Sequence, residues 1–166
     1  INSGSAMELD GRTVEMIKKV VKEKKIHTLW FEAHYMYKNQ LMKFAEQFDG
    51  VEVKFRCGVE SFDGKLRQRW KKGIAASVTA EEVAKYFQGV CLLCCTEGDS
   101  KERIIRDIAL AERYFEYASV NVFCENSTTV KRDDTLMQWF VAELYPQLKE
   151  AKTIEVLINN TDLGVG

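Results

Sequence analysis

The chain has 166 residues and a formal net charge of −1, and 46% of its residues are hydrophobic and 30% charged, which is typical of a globular domain. This near-neutral charge argues against a nucleic-acid binder, because no basic excess is available to neutralise phosphates. No apolar run reaches the roughly 20 residues that span a bilayer, and no signal-peptide segment is visible. We therefore expect a cytoplasmic protein without membrane contact.

Apolar residues recur along the chain with alternating helical and strand periods. Stripes of helical period predict helices around residues 14–21, 41–48, 64–72, 79–87, 104–115 and 136–144. Apolar or alternating runs predict strands over residues 26–31, 51–57, 90–95, 119–123 and 153–158. Thr79 and Glu82 form a capping box, Asp99 or Ser100 caps the long fifth helix, and Pro146 should kink or end the last one.

This alternation with short connections predicts an α/β fold in which five parallel strands are joined by right-handed helical crossovers. Residues 1–6 look like a cloning scar ahead of Met7 and are left out of this prediction. We expect residues 7–166 to form a single α/β domain, since the length suits one domain and no linker or repeat interrupts it.

Polar residues follow the predicted strands. In a parallel sheet the carboxyl ends of the strands meet at one edge, where functional residues gather. The segments at these ends are residues 32–35, 56–61, 96–98, 125–127 and 159–162, and all five carry an acidic side chain. They predict a polar rim that binds a small-molecule ligand.

Glu32 and His34 are the candidate catalytic residues. They end the first predicted strand at i, i+2 spacing, so both side chains point to the same face. A proton-transfer pair is geometrically possible, and so is a pair of metal ligands, although no third ligand is visible. The structural alternative is that the two residues hydrogen-bond the start of the following loop.

The cysteines form an odd set without a secretory context, so we expect reduced thiols. Cys91 and Cys94 have CxxC spacing but lie in a predicted strand, where they point to opposite faces. His27 and His34 are far upstream, so a zinc site lacks its second ligand pair. The sequence predicts no metal site and assigns a role as small buried hydrophobes to Cys57, Cys91, Cys94, Cys95 and Cys124.

Four segments carry a resemblance to a known family. Residues 54–63, Lys-Phe-Arg-Cys-Gly-Val-Glu-Ser-Phe-Asp, and residues 66–73, Leu-Arg-Gln-Arg-Trp-Lys-Lys-Gly, resemble the fourth-strand region of radical S-adenosylmethionine (radical SAM) enzymes. Residues 89–100 and 119–128 are similar to the fifth strand with its turn and to the sixth strand of that family. The resemblance covers roughly residues 8–162 and implies a partial (βα) TIM-type barrel that binds S-adenosylmethionine.

The resemblance also implies roles for individual residues. Glu60 and Ser61 correspond to side chains near the ribose and methionine portion of the nucleotide, and Arg56 suits the methionine carboxylate. Glu97, in the turn after the fifth family strand, and Asn121, on the sixth, complete the predicted cofactor-binding set. Three structural alternatives remain open: Ser61 or Asp63 caps the next helix, Arg56 pairs with Glu32, or Asn121 is a satisfied buried amide.

One family element is missing from the sequence. Radical SAM enzymes carry a CxxxCxxC loop whose thiolates hold a 4Fe–4S cluster, and neither this motif nor the family's Gly-Gly-Glu turn occurs here. The chain therefore corresponds to the carboxyl-terminal part of the barrel. We expect it to be unable to start radical chemistry alone, to bind S-adenosylmethionine weakly or not at all, and to meet a cluster only if an upstream segment supplies one.

Three functions are compatible with this sequence. The first is the nucleotide-binding half of a radical SAM enzyme of unknown substrate. The second is a non-enzymatic remnant or interaction module with a half-barrel fold. The third is a flavodoxin-like small-ligand domain. Because a partial barrel exposes unpaired strand edges, we expect a homodimer or pairing with a missing N-terminal half-barrel.

Overall fold

The computed structural model describes residue 1, residues 4–125 and residues 129–159. Within these residues the chain forms five parallel strands, β1 (Thr28–Glu32), β2 (Glu52–Glu60), β3 (Gly89–Cys94), β4 (Tyr117–Val122) and β5 (Ile154–Leu157). All five predicted strands are confirmed, although β2 continues to Glu60 instead of ending at Cys57. Residues 126–127 and 160–162, which belong to two of the predicted strand-end turns, lie outside the described residues.

The described residues also form seven α-helices, α1 (Gly11–Glu23), α2 (Leu41–Ala45), α3 (Gly64–Arg69), α4 (Ala80–Ala84), α5 (Lys101–Tyr114), α6 (Asp134–Trp139) and α7 (Tyr145–Leu148), with short 3₁₀ helices at Ala6–Glu8 and Tyr35–Tyr37. Two predicted caps are confirmed. Thr79 accepts a hydrogen bond from the Glu82 N–H at 3.2 Å, and Ser100 accepts one from the Arg103 N–H at 3.2 Å. Ser100, and not Asp99, is therefore the cap of α5. None of the helices in the described part of the chain has the length and apolar character needed to cross a membrane.

Pro146 does not end the last helical segment. α6 passes into a π-helical turn at Phe140–Leu144, and the chain then continues as α7 through the proline to Leu148. Proline lacks an N–H, and its ring clashes with the carbonyl group four residues earlier in a regular α-helix. The widened turn before Pro146 relieves this conflict. Instead of the end predicted from Pro146, the helical segment shows a local change of pitch at Phe140–Leu144.

The strands lie in the sheet in chain order, β1-β2-β3-β4-β5. Their apolar side, with Phe31, Val90 and Val120, forms one buried cluster with helix residues such as Ile104 and Phe140. A flavodoxin-like sheet instead has the order 2-1-3-4-5 and is covered by helices on both faces. The flavodoxin-like alternative is therefore wrong, and the parallel strands form a curled half-barrel with helices outside, as the partial TIM-type barrel predicts.

Residues near the amino end take part in this fold. Ser5 and Ala6 are buried, and the Ser5 hydroxyl accepts a hydrogen bond from the His34 N–H at 3.3 Å. The Ile1 carbonyl accepts a hydrogen bond from the Glu32 N–H at 3.3 Å. The origin of residues 1–6 stays a prediction, but leaving them out of the fold omitted contacts that they make at the edge of β1.

Candidate functional site

The half-barrel has a polar inner face, defined here as the side of the sheet that carries Glu32, Arg56, Cys91 and Asn121. Paired residues in a parallel sheet share a face, and the register places Glu32 beside Arg56 and Cys91 beside Ser119. Helix packing takes place on the other side of the sheet. The polar groups of the inner face are therefore not required for core packing, and they make this face the candidate site.

β2 ends on the inner face in a strained turn centred on Glu60. Glu60 has a φ of 62°, and the Ser61 N–H donates to the Val59 carbonyl at 2.8 Å across it. The pairing of β2 with β3 shifts its register between Cys57 and Glu60. A left-handed conformation costs a non-glycine residue roughly 1–2 kcal/mol. Strain and register shifts of this kind cluster next to functional sites, which singles out this turn.

The Glu60 carboxylate lies on the inner face, next to Glu32 and Lys72. Lys72 Nζ donates to Glu60 Oε1 at 2.8 Å. A Cβ atom at Gly58 would lie 3.3 Å from Glu32 Oε1 and 3.6 Å from Glu60 Oε1, so the glycine leaves space between the two carboxylates. The turn therefore presents two acidic groups and one ammonium group to the same space.

Lys72 is a site residue to which sequence reasoning assigned no role. Burial works to lower its pKa, but the charge and hydrogen bond of Glu60, together with the charge of Glu32, outweigh burial and raise that pKa. Lys72 therefore stays protonated. The available signal was its place in the Trp-Lys-Lys-Gly sequence at the end of the second family-like segment, but that sequence carries no sign of a contact with Glu60.

Glu32 and Arg56 form an ion pair across β1 and β2, with Arg56 Nη2 3.6 Å from Glu32 Oε2. The pairing of Arg56 with Glu32 proposed from sequence is therefore present. Burial raises the pKa of Glu32, the Arg56 charge opposes the increase, and the nearby Glu60 charge adds to it. The pair leaves a partly buried carboxylate on the inner face, with 31% of its side chain exposed.

A pocket of about 330 Å³ opens beside these groups. Glu32, Gly58 and Lys72 line it from the inner face, and Ser5 and Glu8 line it from the amino-terminal segment. Its volume is at the lower end of the range of small-molecule sites. Two of the lining residues, Glu32 and Lys72, are the ion-pair partners of Arg56 and Glu60.

His34 is not available for proton transfer in this arrangement. Its Nδ1 accepts a hydrogen bond from the Met36 N–H at 3.2 Å, and its Nε2 lies 2.7 Å from the Lys72 carbonyl oxygen. Since a carbonyl only accepts, Nε2 carries the proton and donates it in this contact. Both ring nitrogens therefore satisfy backbone groups. The structural alternative is thus observed for His34, whereas the Glu32 carboxylate pairs with Arg56.

Ser61 also has a structural role. Its side chain is completely buried, and its hydroxyl donates to Asp107 Oδ2 at 2.6 Å and accepts from the Asp63 N–H at 2.9 Å. Asp63 caps α3 by accepting hydrogen bonds from the N–H groups of Lys65 and Leu66. The Ser61 hydroxyl is therefore used within the buried interior, and the capping alternative applies to Asp63.

Asn121 and Glu97 lie at the ends of β4 and β3. The Asn121 side-chain amide donates to the Leu92 carbonyl at 3.1 Å, whereas its buried Oδ1 has no hydrogen-bond partner among the described residues. Within the described part of the chain, the satisfied-amide alternative is thus met for the donor group of the amide and not for its acceptor. Glu97 is exposed, and its backbone N–H donates to the Lys131 carbonyl at 2.8 Å. The structure does not bring the Glu97 side chain into contact with the other candidates.

The cysteines in the described part of the chain do not fit a 4Fe–4S cluster. Cys91 Sγ lies 3.9 Å from Glu32 Oε2 on the inner face, while Cys94 belongs to the core on the other side. Burial raises the pKa of Cys91 to about 12 and also raises the pKa of Cys57 and the pKa of Cys94 well above the usual range, whereas a cluster is held by thiolates. Among the described residues, no group of three or more histidine, cysteine or acidic side chains is arranged to hold a metal ion.

Comparison with known proteins adds one informative relative. No protein-family model and no curated protein matches the chain. Among solved structures, the chain is similar to the queuine lyase from Clostridium spiroforme, described as bound to SAM and queuine, with a TM-score of 0.88 and 36% sequence identity. The match covers 98% of this chain and 70% of that one.

Proposed function

The chain belongs to the radical SAM superfamily, and from this membership we propose that it is the nucleotide-binding part of an S-adenosylmethionine-dependent enzyme that acts on queuine. The observation that carries the proposal is the strained Glu60 turn on the inner face, at the carboxyl end of β2. Ligands bind at this end of the strands in barrels built from βα units.

Three groups of the inner face are suited to the nucleotide. The Glu60 carboxylate can accept hydrogen bonds from both ribose hydroxyls. Lys72 and Arg56 provide positive charge for the methionine carboxylate, with Arg56 capable of a bidentate contact. The Oδ1 of Asn121, which has no partner among the residues that the structure describes, can accept a hydrogen bond from the amino group of adenine. Glu97 stays a prediction without a contact to support it.

The residues of this chain bind and orient the nucleotide. When bound, S-adenosylmethionine supplies the radical chemistry of the superfamily. Glu60 binds the ribose. The ion pair with Glu32, in which Arg56 Nη2 lies 3.6 Å from Glu32 Oε2, keeps the guanidinium on the inner face. There Arg56 can replace the Glu32 carboxylate with the carboxylate of the ligand. The pocket next to Lys72 encloses part of the ligand and limits its contact with water.

Queuine is proposed as the substrate because the relative with 36% identity is described as bound to it. Since the cysteines of the described residues do not fit a cluster, we propose that the chain alone is inactive. A homodimer or a further half-barrel at the outer edges of β1 and β5 stays a prediction.

Titration with S-adenosylhomocysteine, S-adenosylmethionine and queuine, followed by protein NMR, tests this proposal. Without a cluster to hold the methionine end, we expect a dissociation constant on the order of millimolar for the two nucleotides. Glu60→Ala should weaken their binding at least tenfold, whereas Glu81→Ala, at an exposed position on α4, is the matched control and should leave it unchanged.

Two outcomes would contradict the proposal. Equal binding by the wild type and Glu60→Ala would place the nucleotide elsewhere. No binding of either nucleotide by the wild type at several millimolar would favour the non-enzymatic remnant. Titration with queuine, alone or with S-adenosylhomocysteine present, tests the substrate separately. If queuine does not bind, it is rejected as the substrate, and the proposed nucleotide site is unaffected.

A further inference from the structure

A buried carboxylate on the outer side of the sheet binds the turn that follows Glu60. Asp107, on α5, accepts a hydrogen bond from the Ser61 hydroxyl at 2.6 Å and from the Phe62 N–H at 3.0 Å, both through Oδ2. The Asp107 side chain is 1% exposed. The two residues after Glu60 are therefore fixed to a helix on the outer side of the sheet, away from the inner face.

Arg103 continues this contact to the end of the neighbouring strand. Its Nη1 donates to Asp107 Oδ2 at 3.1 Å, its Nε donates to Asp99 Oδ1 at 2.6 Å, and its Nη2 donates to the Leu93 carbonyl at 3.1 Å. Asp99 Oδ2 in turn accepts a hydrogen bond from the Cys95 N–H at 3.0 Å. One buried network, made of Ser61, Asp107, Arg103 and Asp99, thus connects the carboxyl ends of β2 and β3.

A second buried cation holds the same turn. Arg67 is completely buried, and its Nη1 donates to the Ser61 carbonyl at 2.9 Å, while its Nη2 donates to the Val78 carbonyl at 2.7 Å. Ser61 is therefore fixed at both its hydroxyl and its carbonyl group. None of these contacts involves the side chain of Glu60, which stays available on the inner face.

We propose that Asp107 and Arg103 are positioning residues for Glu60, which hold the strained turn so that the Glu60 carboxylate faces the nucleotide site. The ligand part of this inference rests on the proposed function; the geometric part does not. Buried ion pairs add little net stability relative to apolar residues of the same volume, so a network of this size is better explained by the conformation that it specifies. Released from Asp107, the turn would relax from its positive φ and move the carboxylate away from Lys72.

The geometric part is tested on the ligand-free chain by NMR of the Glu60 carboxyl carbon and the Lys72 Nζ nitrogen. In Asp107→Asn and in Ser61→Ala, both signals should move toward those of exposed residues of the same type. Gln147→Ala, on α7, which removes an exposed hydrogen bond to the Glu143 carbonyl, is the control and should leave them in place. Ser61→Ala removes a single hydroxyl and keeps the test valid if Asp107→Asn does not fold. Unchanged Glu60 and Lys72 signals in Ser61→Ala would overturn the inference.

The ligand part is tested by a double-mutant cycle with S-adenosylhomocysteine as the probe. Asp107→Asn should weaken binding about tenfold in the wild type but less than twofold in a Glu60→Ala background, because its effect passes through the Glu60 carboxylate. An equal loss in both backgrounds would show a general structural effect and would overturn the positioning role. If Glu60→Ala alone binds like the wild type, the proposed nucleotide site fails, and the NMR signals of Glu60 and Lys72 still decide the geometric part.

Discussion

The ends of β1 and β2 lie side by side on the sheet, and each carries a polar residue that the sequence placed in the site. After β1, His34 uses both ring nitrogens to bind backbone groups of Met36 and Lys72. After β2, the Glu60 carboxylate contacts only the Lys72 side chain among the groups described, while the backbone of its turn is bound by other residues.

The difference between His34 and Glu60 arises from which residues pair with the backbone polar groups of each loop. Buried N–H and C=O groups must find partners, and a side chain that supplies them is no longer free for a ligand. At β1 the candidate residue itself supplies those partners. At β2 Ser61, Arg67 and Asp107 supply them, so the strained residue remains available.

The largest expected effect comes from breaking the network behind the Glu60 turn. Arg103→Leu should lower the free energy of unfolding by about 3–5 kcal/mol, because it leaves the buried carboxylates of Asp99 and Asp107 without their shared cation. Urea denaturation measures the change. Arg132→Ala, which breaks an exposed pair with Asp134, is the control and should cause no measurable loss. Equal losses of unfolding free energy in the two variants would mean that the buried network does not stabilise the end of β2.

A smaller effect is expected at the β1 end. His34→Ala should lower the free energy of unfolding by about 1–2 kcal/mol, because the Met36 N–H and the Lys72 carbonyl lose their partner. Its affinity for S-adenosylhomocysteine, measured by titration of the folded fraction, should stay within twofold of the wild type. A tenfold loss of affinity with little loss of stability would reverse the contrast between the two strand ends.

The smallest effect concerns Glu32 and depends on pH. Its pKa is raised in the folded chain by burial, with Arg56 opposing, so protonated Glu32 is favoured by folding. Protonated Glu32 therefore stabilises the folded chain at pH values below the pKa of Glu32 in the unfolded chain. This stabilisation is lost as the pH rises through the pKa of Glu32 in the folded chain. Glu32→Gln removes this titration, and its melting temperature relative to the wild type should be roughly 1–3 °C higher at pH 7 than at pH 4. Glu81→Gln serves as the control. If the melting temperature of Glu32→Gln relative to the wild type is the same at both pH values, or lower at pH 7, burial does not raise the pKa of Glu32.

Local patterns were sufficient to predict the strands and most helices. Val51–Cys57 alternates in polarity, and Ile104, Ile108 and Ala111 repeat at helical spacing, so both periods were visible in the sequence. The family-like turn around Glu60 also indicated where the site lies. The direction of individual side chains was not visible, because their partners are far away in sequence: Ser61 binds Asp107, 46 positions later, and His34 binds Lys72, 38 positions later.

The central claim, that the inner face around Glu60 binds the nucleotide, is tested most directly by mapping S-adenosylhomocysteine onto the assigned NMR spectrum of the chain. At roughly 5 mM ligand a millimolar site is mostly filled. We predict that the largest shifts fall on Gly58, Glu60, Lys72 and Asn121, with none on the outward surfaces of α4 and α5. Shifts concentrated on those helices, or absent from the Glu60 turn at this concentration, would contradict the claim.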